Sequence, residues 1–201
     1  DGYWLNKKGV EFCRAMQICD VQVEDTAVTV YASPVIVKDR GQTLNHALLT
    51  IRFSAPLADV LRVGAWHFAG TARKEPRFTV RDDHSALSVT ENDTEIRITN
   101  GKLCAVLTRE PFRARYFYDG KLLTSTADRP LAFVTAPWGE FMREQLNLDI
   151  GEKLYGLGER FTPFVKNGQS VDIWNEDGGT SSDLAYKNVP FYLSNRGYGV
   201  F

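Results

Sequence analysis

The chain has 201 residues, of which 43% are hydrophobic and 24% are charged, and its 24 basic and 25 acidic side chains give a formal net charge of −1. A chain of this size and apolar content suits one domain, or two small ones, with a sizeable core. No basic block interleaves with aromatic residues, which argues against nucleic acid and against an anionic membrane surface as partners.

The cysteines and the N-terminal residues bear on the cellular compartment. Cys13, Cys19 and Cys104 are odd in number and lack a disulfide-like spacing, which is typical of a reducing compartment. No Cys-x-x-Cys pair occurs, so we expect neither a zinc site nor any other cofactor. The sequence also lacks a basic-then-apolar signal segment and any apolar run of about 18 residues. We therefore expect a cytoplasmic protein.

Short segments in which apolar and polar residues alternate begin at residue 21. Residues 21–24 and 27–31 flank Asp25-Thr26, and this arrangement predicts a hairpin. Residues 60–68 carry apolar side chains at both alternating sets of positions. That pattern predicts a strand that is buried on both of its faces.

Two dipeptides are strong hairpin signals. Asn100-Gly101 separates residues 94–99 from 103–108, and Asp119-Gly120 separates two further alternating segments. Further short strands are predicted at 48–53, 78–80, 87–90, 131–135 and 141–148. About a dozen short strands with turn signals between them, and hardly any helical periodicity, predict an all-β sandwich or barrel. The predicted core comprises Leu49, Ile51, Phe53, Val63, Trp66, Ile96, Ile98, Val106, Phe117, Leu146 and Leu157.

The stretch 155–198 is dense in glycine, aromatic and polar residues. It opens as a strand, in which Gly156 and Gly158 would share one face and leave a bare backbone. Another chain segment or a ligand can approach such a backbone closely, and tight packing of sheet against sheet is the simpler interpretation. Glu159 and Arg160 follow at the end of this strand, and we interpret them as a solvated rim.

A polar loop follows, and the sequence leaves its role open. Residues 170–174 alternate and predict a short strand, after which 175–182 forms a loop with two adjacent glycines. Trp174 and Tyr186 flank this loop, which suits a binding rim, although an ordinary surface loop has the same composition. Beyond it, residues 191–201 predict a hairpin.

Three strings within this stretch, YGLGERF, NGQSVDIWNEDGGTSS and AYKNVPFYLSNRGYGV, carry a family resemblance. With their spacing, they resemble the α-xylosidases and α-glucosidases of glycoside hydrolase family 31, and are nearest to bacterial α-xylosidases. Upstream, VYASP and LLTIRFSAP resemble the family more weakly. The resemblance implies that residues 1–201 form an N-terminal domain, a large β-sandwich similar to galactose mutarotase-like domains.

The resemblance also implies where the chemistry lies. Glycoside hydrolysis generally requires two carboxylates across the scissile bond, and in this family they are aspartates on a (β/α)₈ barrel of about 250 residues. The sequence lacks the helices of such a barrel and any nucleophile string like Lys-x-Asp-Phe-Gly-Glu. We therefore assign no catalytic residue here, and expect a longer chain with the catalytic barrel after Phe201. The parent enzyme would hydrolyse terminal α-xylosides or α-glucosides with retention.

The expected role of the domain is to pack on that barrel and to lend a loop to the aglycone side of the active site. Asp177 is the candidate sugar contact, because a charged acceptor makes a strong hydrogen bond to a hydroxyl group. Trp174 and Tyr186 would supply an apolar platform for the sugar ring. Alternatively, Asp177 merely caps a turn before Gly178.

Two other classes of function remain open. A stand-alone carbohydrate-binding or mutarotase-like domain would need a histidine acid and a carboxylate base. The candidate histidines, His46, His67 and His84, lie in no recognisable motif. A purely structural or oligomerisation scaffold is the third class, and a homo-oligomer is compatible with the sequence. Trp66 and Trp138 are candidate contacts for it, although aromatic side chains pack in cores as well.

Overall fold

A computed structural model of the chain describes residues 5–67, 84–178 and 182–201. The chain divides into two compact units, residues 1–147 and 148–201. The strands of both units pair antiparallel, and the helical content of the described residues is one short 3-10 turn, Arg40–Thr43. The prediction of an all-β fold is therefore confirmed. In the described part of the chain, no helix is long and apolar enough to cross a membrane.

The larger unit contains three antiparallel sheets. Their strand orders are β2-β3-β4-β5, β10-β9-β8-β7-β6 and β1-β11-β12. The strands, numbered along the chain, are β1 Glu11–Arg14, β2 Gln17–Val23, β3 Ala27–Ser33, β4 Leu49–Ser54, β5 Arg62–Trp66, β6 Ser88–Glu91, β7 Glu95–Asn100, β8 Leu103–Thr108, β9 Arg113–Tyr118, β10 Lys121–Ser125, β11 Ala132–Ala136 and β12 Gly139–Arg143.

The core of the larger unit joins its two largest sheets. Along β4, side chains point alternately inward and outward, so that Leu49, Ile51 and Phe53 are buried between partly exposed neighbours. In one apolar cluster they pack with Ile96 and Ile98 of β7 in the five-stranded sheet. Two sheets that bury their apolar faces against each other form a β-sandwich, as predicted.

Most of the predicted core is correct, with one clear error. The fully buried members are Leu49, Ile51, Phe53, Ile96, Ile98 and Val106. Trp66, Phe117, Leu146 and Leu157 are half-buried. Val63, however, is 40% exposed. Arg62, its neighbour on the other face of β5, is also exposed, so the prediction that this strand is buried on both faces is wrong.

The short hairpins form where their turn residues indicate. Asp25-Thr26 joins β2 to β3 and Asp119-Gly120 joins β9 to β10, as predicted. The β7–β8 hairpin also forms, but its turn is Gly101-Lys102, because Asn100 belongs to β7 and pairs with Leu103. Gly101 and Gly120 have φ of 59° and 78°, the left-handed conformation that favours glycine. The predicted strand at 78–80 lies outside the described residues.

The smaller unit contains one three-stranded antiparallel sheet, β13-β14-β15. Its strands are β13 Leu154–Gly156, β14 Tyr192–Ser194 and β15 Tyr198–Val200. The second and third strands form the hairpin predicted over 191–201. The chain before β13 is fastened to this hairpin by a buried carboxylate.

That carboxylate belongs to Glu152, whose side chain is fully buried. It accepts hydrogen bonds from the Ser194 hydroxyl at 2.5 Å, the Tyr198 hydroxyl at 2.6 Å and the Asp149 backbone N–H at 2.8 Å. Burial alone would raise the pKa of Glu152, but these hydrogen bonds and the nearby Arg196 guanidinium outweigh it and hold the pKa below its usual value.

Truncating a core side chain should destabilise the sandwich strongly. Phe53→Ala should lower the free energy of unfolding by about 3–5 kcal/mol, because Phe53 is 1% exposed and its loss leaves a cavity. Val63→Ala, directly opposite Phe53 in the β4–β5 register, is the matched control. It should cost about 0.5 kcal/mol or less. Urea denaturation of both variants checks this, and equal losses would contradict the difference in burial between these two positions.

Acid should weaken the smaller unit through Glu152. A depressed folded pKa contributes stability that is fully present above the unfolded pKa, about 4.3, and is lost as pH falls through the folded value. Glu152→Gln should therefore lower the melting temperature at pH 7 and flatten its decline below about pH 5. Tyr198→Phe removes one donor and should move the decline to higher pH. An equal decline of the melting temperature with falling pH in the native chain and in Glu152→Gln would contradict this role of Glu152.

Candidate functional site

The candidate site is a cleft of about 360 Å³ in the smaller unit. Its lining combines the end of β13 with the loop that returns to β14, and comprises Gly158, Glu159, Arg160, Phe161, Gly178, Leu184, Ala185, Tyr186 and Lys187. Tyr186 was predicted as a site residue, and Gly178 directly follows another, Asp177. Part of the predicted site therefore lies at this cleft.

One wall of the cleft is a close contact between two stretches of backbone. The Leu157 N–H donates to the Phe191 carbonyl at 2.8 Å, and the Glu159 N–H donates to the Lys187 carbonyl at 3.0 Å. A Cβ atom added to Gly158 would lie 2.1 Å from the Lys187 oxygen, so only glycine fits there. The predicted close approach is thus made by another segment of this chain.

The predicted shared strand face for the two glycines is wrong. β13 ends at Gly156, and residues 156–158 have φ of 111°, 69° and 91°. These positive values turn the chain out of the strand, so side-chain alternation stops before Gly158.

Arg160 is half-buried and bonds to three backbone carbonyls. Its Nε donates to Leu157 O at 3.1 Å, Nη1 to Asp183 O at 3.2 Å and Nη2 to Asp172 O at 2.5 Å. Nη2 also donates to Oδ1 of Asn188. The interpretation of Arg160 as a solvated rim residue is therefore wrong.

Asn188 continues this network on its other side. Its Nδ2 donates to Trp174 O and Ala185 O, both at 2.7 Å, and to the Asn175 Oδ1 at 3.1 Å. Its backbone N–H donates to the same Asn175 oxygen at 3.0 Å. Two side chains, Arg160 and Asn188, thus tie together the segments 172–175 and 183–188.

Glu159 behaves as the rim residue that the sequence indicates. Its carboxylate lies 3.1 Å from the Lys187 ammonium, and both side chains are mostly exposed. Hydrogen bonding to Glu159, together with its charge, raises the pKa of Lys187. An exposed pair of this kind contributes little stability, so the Arg160 network is the stronger constraint on the cleft.

The predicted strand at 170–174 does not form. The alternation is present in the sequence, but the Asp172 and Trp174 carbonyls bond to the Arg160 and Asn188 side chains instead of to a neighbouring strand. The remaining strand-like pairing is an isolated parallel bridge between Asn175 and Ala185.

The three predicted site residues all lie at the surface. Trp174 and Tyr186 are 75% and 57% exposed, which is high for aromatic side chains of this size. The side chain of Asp177 is also exposed, and its carboxylate accepts no hydrogen bond from the described residues. Tyr186 lines the cleft, whereas Trp174 contributes its carbonyl to the network beside it.

Lys166 is a buried cation near this network. It is 8% exposed, and its Nζ donates to the Thr162 hydroxyl at 3.0 Å and to the Pro163 carbonyl at 2.8 Å. Burial lowers the pKa of Lys166, and the positive charge of Arg160 lowers it further. These two hydrogen bonds hold the turn 162–169 that leads into the loop.

The histidines do not form an acid–base site in the described residues. His67 stacks on Phe133 with ring centroids 3.9 Å apart, while His46 and His84 are exposed. In the same part of the chain, no cluster of three or more His, Cys, Asp or Glu side chains is placed to hold a metal ion.

Known proteins resemble this chain in sequence and in fold. Alpha-xylosidase XylQ from Lactiplantibacillus pentosus is 39% identical over 207 residues, covering 100% of this chain and 27% of that protein. An alpha-xylosidase from Emericella nidulans is 36% identical over 224 residues, covering 100% of this chain and 29% of that protein. The chain thus spans about a quarter of the length of these relatives.

A solved structure and a family model agree with these relatives. The GH31 dextranase from Flavobacterium johnsoniae has the same fold, with a TM-score of 0.73 at 22% identity, over 92% of this chain and 22% of that one. Residues 49–201 match the glycosyl hydrolase 31 N-terminal galactose mutarotase-like domain. This chain therefore belongs to that family of glycosyl hydrolase 31 N-terminal domains.

Proposed function

We propose that this chain is the non-catalytic N-terminal domain of a glycoside hydrolase that removes terminal α-xylosyl units. The observation that carries the proposal is that two alpha-xylosidases match the whole chain, which spans only about a quarter of each. The catalytic carboxylates would lie elsewhere in the longer protein, on its barrel, and act with retention. α-Glucosides are the alternative substrate class.

The proposed docking partner is the catalytic barrel of the same chain. Large exposed apolar patches are uncommon on isolated soluble proteins and mark interaction surfaces. The smaller unit exposes many large apolar side chains, among them Ile150, Phe161, Phe164, Ile173, Trp174, Tyr186, Val189 and Leu193. Ile150 and Phe164 are 102% and 77% exposed, which supports the proposal that the barrel covers these side chains in the full enzyme.

The loop that carries Asp177 would contact the leaving-group sugar. The Asp177 carboxylate is uncommitted among the described residues, so it is available to accept a hydrogen bond from a hydroxyl group. The exposed rings of Trp174 and Tyr186 could pack against a sugar face.

The chain by itself should be inactive. The 201-residue chain should not cleave aryl α-xylosides or α-glucosides, whereas the full-length enzyme should cleave at least one of them, because the carboxylate pair lies outside this chain. Release of the aryl group measures both. Turnover by the chain alone, retained through further purification to constant specific activity, would contradict the non-catalytic role.

Asp177→Ala in the full-length enzyme should lower kcat/KM for disaccharides roughly tenfold, since one hydrogen bond to the leaving-group sugar is lost. Substrates with a small aryl leaving group should lose less. Asp183→Ala removes another exposed carboxylate of the same loop and is the matched control. It should leave kcat/KM unchanged for both the disaccharide and the aryl substrate.

Equal losses for disaccharide and aryl substrates in Asp177→Ala would contradict a leaving-group contact. A fall in melting temperature that accounts for the kinetic change would favour the turn-capping role instead.

A further inference from the structure

We infer that Arg160 and Asn188 are positioning residues that fix the Asp177 loop, residues 172–178 and 182–188, in the orientation that receives the leaving-group sugar. This inference rests on the proposed function. Neither side chain needs to touch substrate. They would act through the loop backbone, whose path they determine.

The geometry of the guanidinium is the first reason. Arg160 offers five N–H groups in a rigid planar fork, and three backbone carbonyls plus the Asn188 side chain receive them. Asp172 and Asp183 lie on opposite arms of the loop. One rigid group therefore sets the separation of the two arms before Asp177 and after Gly178.

The second reason is that Asn188 completes the same constraint from within the loop. Its side-chain amide bonds to Trp174 O and Ala185 O at 2.7 Å each. Those contacts place the two arms side by side, where the Glu176 N–H donates to Ala185 O at 3.0 Å. Glu176 directly precedes Asp177, so the position of the carboxylate depends on this pairing.

The third reason is that the backbone itself is shaped for close approach. A Cβ atom added to Gly178 would lie 2.4 Å from the Leu184 carbonyl oxygen. A Cβ atom added to Gly158 would lie 2.1 Å from the Lys187 carbonyl oxygen. The arms meet without intervening side chains, so small shifts in one arm move the other. A misplacement of about 1 Å at a binding group is enough to weaken substrate positioning substantially.

The decisive variant is Arg160→Lys in the full-length enzyme. Lysine keeps the positive charge but has a single point donor group, which cannot bridge three separated carbonyls. Asn188→Ala is the second variant, because it removes the other half of the network without altering charge. Gln169→Ala is the matched control, since Gln169 also donates to two backbone carbonyls in this unit, Pro163 O and Val165 O.

Two measurements are needed. Hydrogen exchange followed by mass spectrometry on peptides covering 172–178 reports the Glu176 amide, with peptides from β14 as an internal reference. We expect exchange about tenfold faster in Arg160→Lys and Asn188→Ala and unchanged in Gln169→Ala. Steady-state kinetics should then show KM for the disaccharide raised about fivefold with kcat nearly unchanged, and a smaller rise for the aryl substrate.

The outcomes separate this inference from the function on which it rests. Unchanged exchange in both variants would overturn the inference directly. Faster exchange with an unchanged disaccharide KM, while Asp177→Ala still impairs that substrate, would overturn it and leave the proposed function intact. If Asp177→Ala also leaves the disaccharide kcat/KM unchanged, the proposed sugar contact is wrong, and the positioning role is wrong with it.

Discussion

The Asp177 loop depends on hydrogen bonds that its own backbone cannot make. Carbonyl groups that leave a sheet must find donors elsewhere, because unpaired backbone groups away from water are costly. Arg160 and Asn188 supply these donors to both arms of the loop. The loop therefore keeps a defined path without belonging to a sheet, and glycine at 158 and 178 lets the segments meet at backbone distance.

This arrangement suits a domain that assists catalysis without performing it. Binding groups on loops are precise only when a rigid support orients them. In the smaller unit, that support is a short sheet fastened by the buried Glu152 carboxylate and its donors Ser194 and Tyr198. The larger unit is stabilised separately, by its own sandwich core.

The sequence predicted those features that are determined locally. The hairpin at Asp119-Gly120 forms because both turn residues favour the positive φ that the turn requires. The β7–β8 hairpin forms as well, with its turn one residue later than predicted, at Gly101-Lys102. Val63 is exposed although the pattern predicts its burial, because alternation does not reveal which end of a strand the rest of the fold covers. Residues 170–174 have a strand pattern, but side chains from elsewhere bind their carbonyls.

The least predictable feature was the role of Arg160. Its partners Asp172, Asp183 and Asn188 lie 12, 23 and 28 residues away along the chain, so no local spacing connects them. The one sequence signal is an arginine two residues after the closely spaced Gly156 and Gly158, where a bare backbone needs partners. Asp177 is a candidate only through the family resemblance, since an Asp before a glycine pair has no distinctive pattern of its own.

The central claim is that Arg160 serves substrate binding through the loop that carries Asp177. A double-mutant cycle on disaccharide kcat/KM tests it most directly, using Asp177→Ala and Arg160→Lys singly and together in the full-length enzyme. If Arg160 acts through Asp177, the double variant should lose little more activity than Asp177→Ala alone. Losses that multiply independently would contradict the account.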